Sequence, residues 1–185
     1  MPNLPTRCVG RIYQLDANRI NARRRDPAMN KLEQLKANGV VSLVMSDTAY
    51  AEAGRDGDAR LQKTRDYTWI KYKDADDVDV DLRRRIEEVL FPEGAQNQNQ
   101  RNDVDILFKA ERLQHVLITS DGGSKRQPGG MLGNAAELAK LGVVVLSTEA
   151  AVSQITQLIS ERDAEVRRLA ARQGLSLPEW VGADS

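Results

Sequence analysis

Val40-Val-Ser-Leu-Val-Met45 is apolar at five of its six positions, and a run so short and continuous reads as a strand buried on both faces. Cys8-Val-Gly-Arg-Ile-Tyr-Gln-Leu15, Val116-Leu-Ile-Thr119 and Gly142-Val-Val-Val-Leu-Ser147 read the same way. Helical patterns separate them. Asp26 and Pro27 supply an N-cap and a first-turn proline, Met29, Leu32 and Leu35 form an apolar stripe, and Gly39 closes the helix. Ser46 is expected to cap a short helix containing Glu52. Asp103 stands at an expected N-cap, with Val104, Leu107, Ala110 and Leu113 following at helical spacing. Asn134 to Leu141 forms a short helix. Thr148 opens a long one with Val152, Ile155, Ile159, Val166 and Leu169 on one side, and Gly174 ends it. Strands alternating with helices predict an α/β fold with a mostly parallel central sheet flanked by helices.

Residues 54 to 101 are polar and charged, and predict a helical excursion on the sheet's edge. One helix is expected to carry Leu61, Arg65, Thr68, Trp69 and Tyr72, and another Leu82, Ile86, Val89 and Leu90. The acid-rich stretch from Asp74 to Asp81 reads as a solvated turn. Gln96-Asn-Gln-Asn-Gln100 reads as a short low-complexity loop. Residues 1–159 are expected to form the main domain. Residues 160–185 are expected to form a C-terminal helix extension and tail, with the helix's second half projecting or mediating homo-oligomer formation because Arg162 and Asp163 interrupt its apolar stripe.

With 185 residues the chain can bury a real core, and its 27 basic and 27 acidic residues cancel, so no global field selects a nucleic acid or a membrane. The single cysteine, Cys8, gives no disulfide framework and no zinc cluster, and is expected in the core. No apolar run approaches the roughly 20 residues of a membrane span. A cytoplasmic protein is the expectation.

Four acids fall at matched places: Asp16 after the first strand, Glu52 in the helix after the second, Asp103 at a helix start, and Asp121 after a strand. In an open parallel sheet, ligands bind beyond the carboxyl ends of the strands. Gathered carboxylates repel and call for a cation, and hard oxygen ligands suit Mg²⁺ or Mn²⁺. Two such ions would activate a water and stabilise the leaving oxygen of a phosphodiester. Asp105, two residues from Asp103, is the less favoured metal ligand. Arg19, Arg23, Arg24 and Arg25 beside Asp16, and Lys125 and Arg126 on the glycine-rich stretch Gly122–Gly130, are candidate phosphate contacts.

Leu15-Asp16-Ala-Asn18, Ser46-Asp-Thr-Ala-Tyr-Ala-Glu52 and Asp103-x6-Ala110-x8-Thr119-Ser-Asp121 together resemble the ordered motifs of PIN-domain nucleases, over roughly residues 8 to 155. The resemblance implies a three-layer PIN-like fold and an endoribonuclease acting on single-stranded or structured RNA. Asp16, Glu52, Asp103 and Asp121 would then be metal-binding catalytic acids, with Asn18 and Thr119 as polar helpers. The family includes the toxins of bacterial toxin–antitoxin pairs, so a protein inhibitor is a further implied partner. The glycine-rich stretch and the long C-terminal helix depart from the compact toxin pattern.

Each residue also has a plainer reading. Asp103 as a cap would contribute about 0.5–2 kcal/mol, and Asp16 and Asp121 would serve as turn formers. His115 reads as structural. Tyr67, Trp69 and Tyr72 read as helix packing, with base stacking as the alternative. At the level of function the competing reading is a catalytically inactive PIN-like module that binds RNA or protein. A haloacid-dehalogenase-type phosphatase is disfavoured because Asp16-Ala-Asn18 lacks the second acid.

Overall fold

The computed structural model describes residues 4–22, 24–55, 62–73, 77–123 and 129–184. Five strands form one sheet: β1 (Ile12–Leu15), β2 (Ser42–Ser46), β3 (Thr68–Ile70), β4 (Val116–Ile118) and β5 (Val144–Leu146). Their spatial order is β3-β2-β1-β4-β5, and every pairing is parallel. The α/β class expected from the sequence is therefore the one observed. Chain order reverses at β1, with β2 on one side and β4 on the other, which opens a crevice beyond their carboxyl ends.

The helices are α1 (Pro27–Ala37), α2 (Asp47–Arg55), α3 (Asp77–Leu90), α4 (Gln98–Arg112), α5 (Gly130–Gly133), α6 (Ala135–Lys140) and α7 (Thr148–Gln173). Successive strand side chains point to opposite faces. Tyr13 donates its hydroxyl to Gln154 of α7 at 3.1 Å, whereas Gln14 donates to the Ile106 carbonyl of α4 at 3.1 Å. The two helices therefore cover opposite faces of the sheet. Between them Tyr13, Leu15, Met45, Leu117 and Phe108 are fully buried.

Local chemistry accounts for most element ends. Asp26 accepts hydrogen bonds from the backbone N–H groups of Ala28 and Met29, and Pro27 begins α1. Ser46 Oγ accepts from Ala49 N at 3.2 Å and caps α2. Ser147 caps α7 through Ala150 N, and Gly174 ends it in the left-handed conformation at φ 65°.

The structure corrects several expectations. Asp103 does not cap a helix: Asn97 does, accepting from Gln100 N at 3.1 Å, and Gln98 supports Asn102 one turn on at 2.9 Å. Part of the glutamine- and asparagine-rich stretch is thus the first turn of α4. Thr68 and Trp69 lie in edge strand β3 instead of a helix; Leu61 and residues 74–76 fall outside the described residues. Cys8 is exposed and not in the core, because Gly10 at φ 73° turns the chain and sheet pairing starts only at Ile12.

The second half of α7 does not project. Val166 and Ala170 are buried, α7 runs unbroken from Thr148 to Gln173, and the tail folds back over it. Arg162 pairs with Asp163 at 2.7 Å and with Asp184 at 3.3 Å, and stacks its guanidinium 4.5 Å from the Trp180 ring centroid. Asp184 also receives Arg7 at 2.6 Å, and Asp163 accepts from Gly182 N at 2.7 Å. The interrupting pair is thus the seat of the tail. Losing one partner of so buried a pair costs about 3–5 kcal/mol.

Candidate active site

Asp16 follows β1 and is 5% exposed. Its backbone N–H still pairs with Ile118 O of β4 at 3.0 Å, so its position is set by the sheet itself. Thr119, which follows β4, donates its hydroxyl to Asp16 Oδ2 at 2.6 Å, and the Asn18 amide donates to the same oxygen at 2.6 Å. Thr119 Oγ1 in turn accepts from Asn18 Nδ2 and from Asp121 N, each at 3.0 Å, while Asn18 Oδ1 accepts from Ser120 N at 3.2 Å. Asn18 and Thr119 therefore fix the Asp16 carboxylate and tie the two strand ends together. Burial pushes the Asp16 carboxyl above the usual range, partly offset by the Thr119 hydrogen bond, and the nearby Asp121 charge pushes it further.

Asp121 organises the turn that follows it. Its carboxylate accepts from Gly123 N at 3.1 Å and Met131 N at 2.9 Å, and its carbonyl accepts from Leu132 N at 3.0 Å. Gly130 passes so close beneath it that a side chain there would collide with the carboxylate.

Asp103 lies in the second turn of α4, and its carboxyl is pushed up to about 8. Burial is the main cause, followed by the charges of Asp16, Asp121 and Glu52. Four acids drawn from two strand ends and two helices thus share one electrostatic neighbourhood. Among the described residues, no three histidine, cysteine or acidic side chains stand close enough to form a ready-made metal cage. The donors suit a divalent cation in kind, being hard carboxylate oxygens, and in charge, since burial first and then the three neighbouring carboxylates raise the Asp103 carboxyl. Binding a cation would require the carboxylates to draw inward.

Asp105 belongs to a different cluster. It pairs with Arg83 and accepts from the Thr48 hydroxyl, and Lys109 lies 2.7 Å from it. Lys109 also reaches Asp47 at 2.5 Å and Thr48 at 2.8 Å. Burial alone would raise the Asp105 carboxyl, but hydrogen bonds from Lys109, Thr48 and Arg83, together with the Lys109 charge, hold it below its usual range. Two residues apart on a helix, Asp103 and Asp105 face different surroundings, one gathered with acids and the other with bases. This clamp joins α2, which carries Glu52, to α4, which carries Asp103. It was not anticipated, although the Asp105–Lys109 spacing of four residues was a visible signal.

The basic rim expected beside Asp16 is altered. Arg19 is 8% exposed and pairs with the helix-capping Asp26. Arg24 and Arg25 are exposed, while Arg23, Lys125 and Arg126 lie outside the described residues. His115 is buried, with Nδ1 3.3 Å from Gln14 Oε1, and burial lowers its pKa. Tyr67 is buried with its hydroxyl on Glu33, and Tyr72 packs edge-on against Phe108 and donates to Asp79 at 3.2 Å. Trp69 is different: it is half exposed.

The fold is α/β, with four acids sharing one electrostatic neighbourhood at the switch point of its parallel sheet. No protein-family model matches the chain, and no curated protein matches it. Among solved structures, the chain is similar to one of FitAB bound to an IR36 DNA fragment. The two are 14% identical, with a TM-score of 0.42 over 74% of this chain and 94% of that one. No helix among the described residues is long and apolar enough to cross a membrane.

Proposed function

We propose that this protein is a divalent-metal-dependent endoribonuclease, with Asp16, Glu52, Asp103 and Asp121 holding Mg²⁺ or Mn²⁺. The observation that carries this reading is the gathering of Asp16, Glu52, Asp103 and Asp121 in one neighbourhood, near enough that the other three charges add to burial in raising the Asp103 carboxyl. A site that concentrates negative charge is a site prepared for a cation. When bound, such an ion supplies Lewis acidity toward a phosphodiester oxygen and lowers the pKa of water.

The chain's own groups account for the rest. Asn18 and Thr119 orient the Asp16 carboxylate, and the Asp121 carboxylate is steadied by two backbone N–H groups. Asp103 gives up its proton as positive charge arrives, so cation affinity rises with pH. RNA as the substrate rests on the resemblance of the three motifs to PIN-domain nucleases.

The test is Asp103→Asn, which removes the ionisable carboxyl without disturbing any hydrogen bond described above. Wild-type protein is expected to cleave single-stranded RNA in Mn²⁺ and to bind Mn²⁺ by calorimetry. The variant should lose cleavage by more than about a hundredfold, the upper end of the cost of losing a group just outside a metal's own ligands. Undiminished cleavage by the variant would overturn the site, and a wild type that neither binds Mn²⁺ nor cuts would overturn the activity.

A further inference from the structure

Trp69 stands at the outer edge of the sheet with half its surface exposed. Its ring lies 5.8 Å, centroid to centroid, from that of Tyr50, tilted by 32°. Tyr50 is on α2, two residues before Glu52. A groove of about 340 Å³ lies beside them, lined by Tyr50, Arg65, Tyr67, Thr68 and Trp69.

Register places this groove beside the acids. Trp69 is level with Met45 of β2, and Gln14 of β1 is level with Val44, so Trp69 sits two strands across from Leu15, the residue before Asp16. That separation is roughly 10 Å, or two strand spacings. The flanking chain is basic: between residues 62 and 73, Lys63, Arg65, Lys71 and Lys73 stand against the single acid Asp66. Arg65, Lys71 and Lys73 are exposed. The core does not need the Trp69 ring, whereas the neighbouring Tyr67 and Tyr72 are held by packing and by hydrogen bonds to acids.

We propose that Trp69 and Tyr50 form a stacking platform for an unpaired base of a single-stranded RNA whose backbone passes over the acid cluster, with Arg65 meeting a flanking phosphate. This rests on the nuclease reading for the identity of the ligand. Exposed aromatics interleaved with cations bind single strands with little sequence preference, because every base offers a π-face. The platform positions the strand and takes no part in bond cleavage.

The test uses the full chain in EDTA, with a fluorescently labelled twelve-nucleotide oligoadenylate as the probe. Trp69→Ala should weaken binding between about 5-fold and 150-fold. Trp69→Phe should stay within about threefold of wild type, since a smaller ring still stacks, yet it should abolish the quenching of tryptophan emission by the oligonucleotide, because only Trp180 then remains. A role in folding alone would not produce that split. An unchanged dissociation constant for Trp69→Ala, or tryptophan emission that ignores the oligonucleotide, would overturn the platform and favour a protein strand pairing along β3. Binding with quenching but no Mn²⁺-dependent cleavage would overturn the nuclease reading and leave the platform standing.

Discussion

Gly130 lies directly against Asp121: a β-carbon built on it would stand 2.7 Å from both carboxylate oxygens and 2.4 Å from Gly123 N. Its φ of 53° also lies in the left-handed region that side chains disfavour. Gly130→Ala should therefore cost about 1–2 kcal/mol of backbone strain and displace Asp121 as well. Gly133→Ala is the control, since that position has open space and an ordinary backbone. Expected outcomes are a loss of Mn²⁺ affinity and of cleavage in the first variant and near-wild-type behaviour in the second, read by calorimetry and urea denaturation. Equal behaviour of the two would separate Asp121 from the site.

Asp103 makes stability fall as pH rises. Its carboxyl titrates near 8 in the fold and near 3.8 when unfolded, so between those values the folded state binds more protons. The stabilisation it provides is complete below about pH 4 and is lost progressively as pH rises through 8. In EDTA, the melting temperature of wild type should decline between pH 5 and 9 more steeply than that of Asp103→Asn. Adding Mn²⁺ should restore wild type at pH 8 but not the variant. Parallel curves for the two proteins would mean that Asp103 is already ionised at neutral pH.

The clamp around Lys109 should behave in the opposite sense. Lys109 is 7% exposed at its side chain and bridges Asp47 and Asp105, so Lys109→Met should destabilise by about 2–3 kcal/mol at pH 7. Asp105 has a lowered carboxyl pKa, so its contribution is present above its unfolded value and disappears as pH falls below about 4. The gap between wild type and variant should accordingly narrow at pH 3.5. A gap independent of pH would reduce Lys109 to a packing residue.

The sheet was legible because its central strands are covered on both faces and so appear as unbroken apolar runs, as at Leu43–Met45 and Val116–Ile118. The edge strand β3 was not, since Thr68 and Trp69 face solvent and carry no such signature. The start of α4 was missed because Asn97, the true cap, sits among glutamines that suggest a loop. That Asp16, Glu52, Asp103 and Asp121 share one neighbourhood was visible in their position and order. What no spacing shows is which neighbour each side chain meets: Arg19 reads like a rim cation until Asp26 folds over to claim it. Asp105 likewise resembles Asp103 until Arg83 arrives from another helix.

Arg7 and Asp184 meet in an ion pair beside Asn38, whose amide reaches Asp184 at 3.4 Å just before β2 begins. That is the amino edge of the sheet, whereas every acid of the proposed site hangs from the carboxyl edge. A tag, fusion partner or regulatory segment joined beyond either residue would emerge at the far pole of the molecule. Tethering this protein to a surface through the neighbourhood of Arg7 and Asp184 would present its acidic crevice outward.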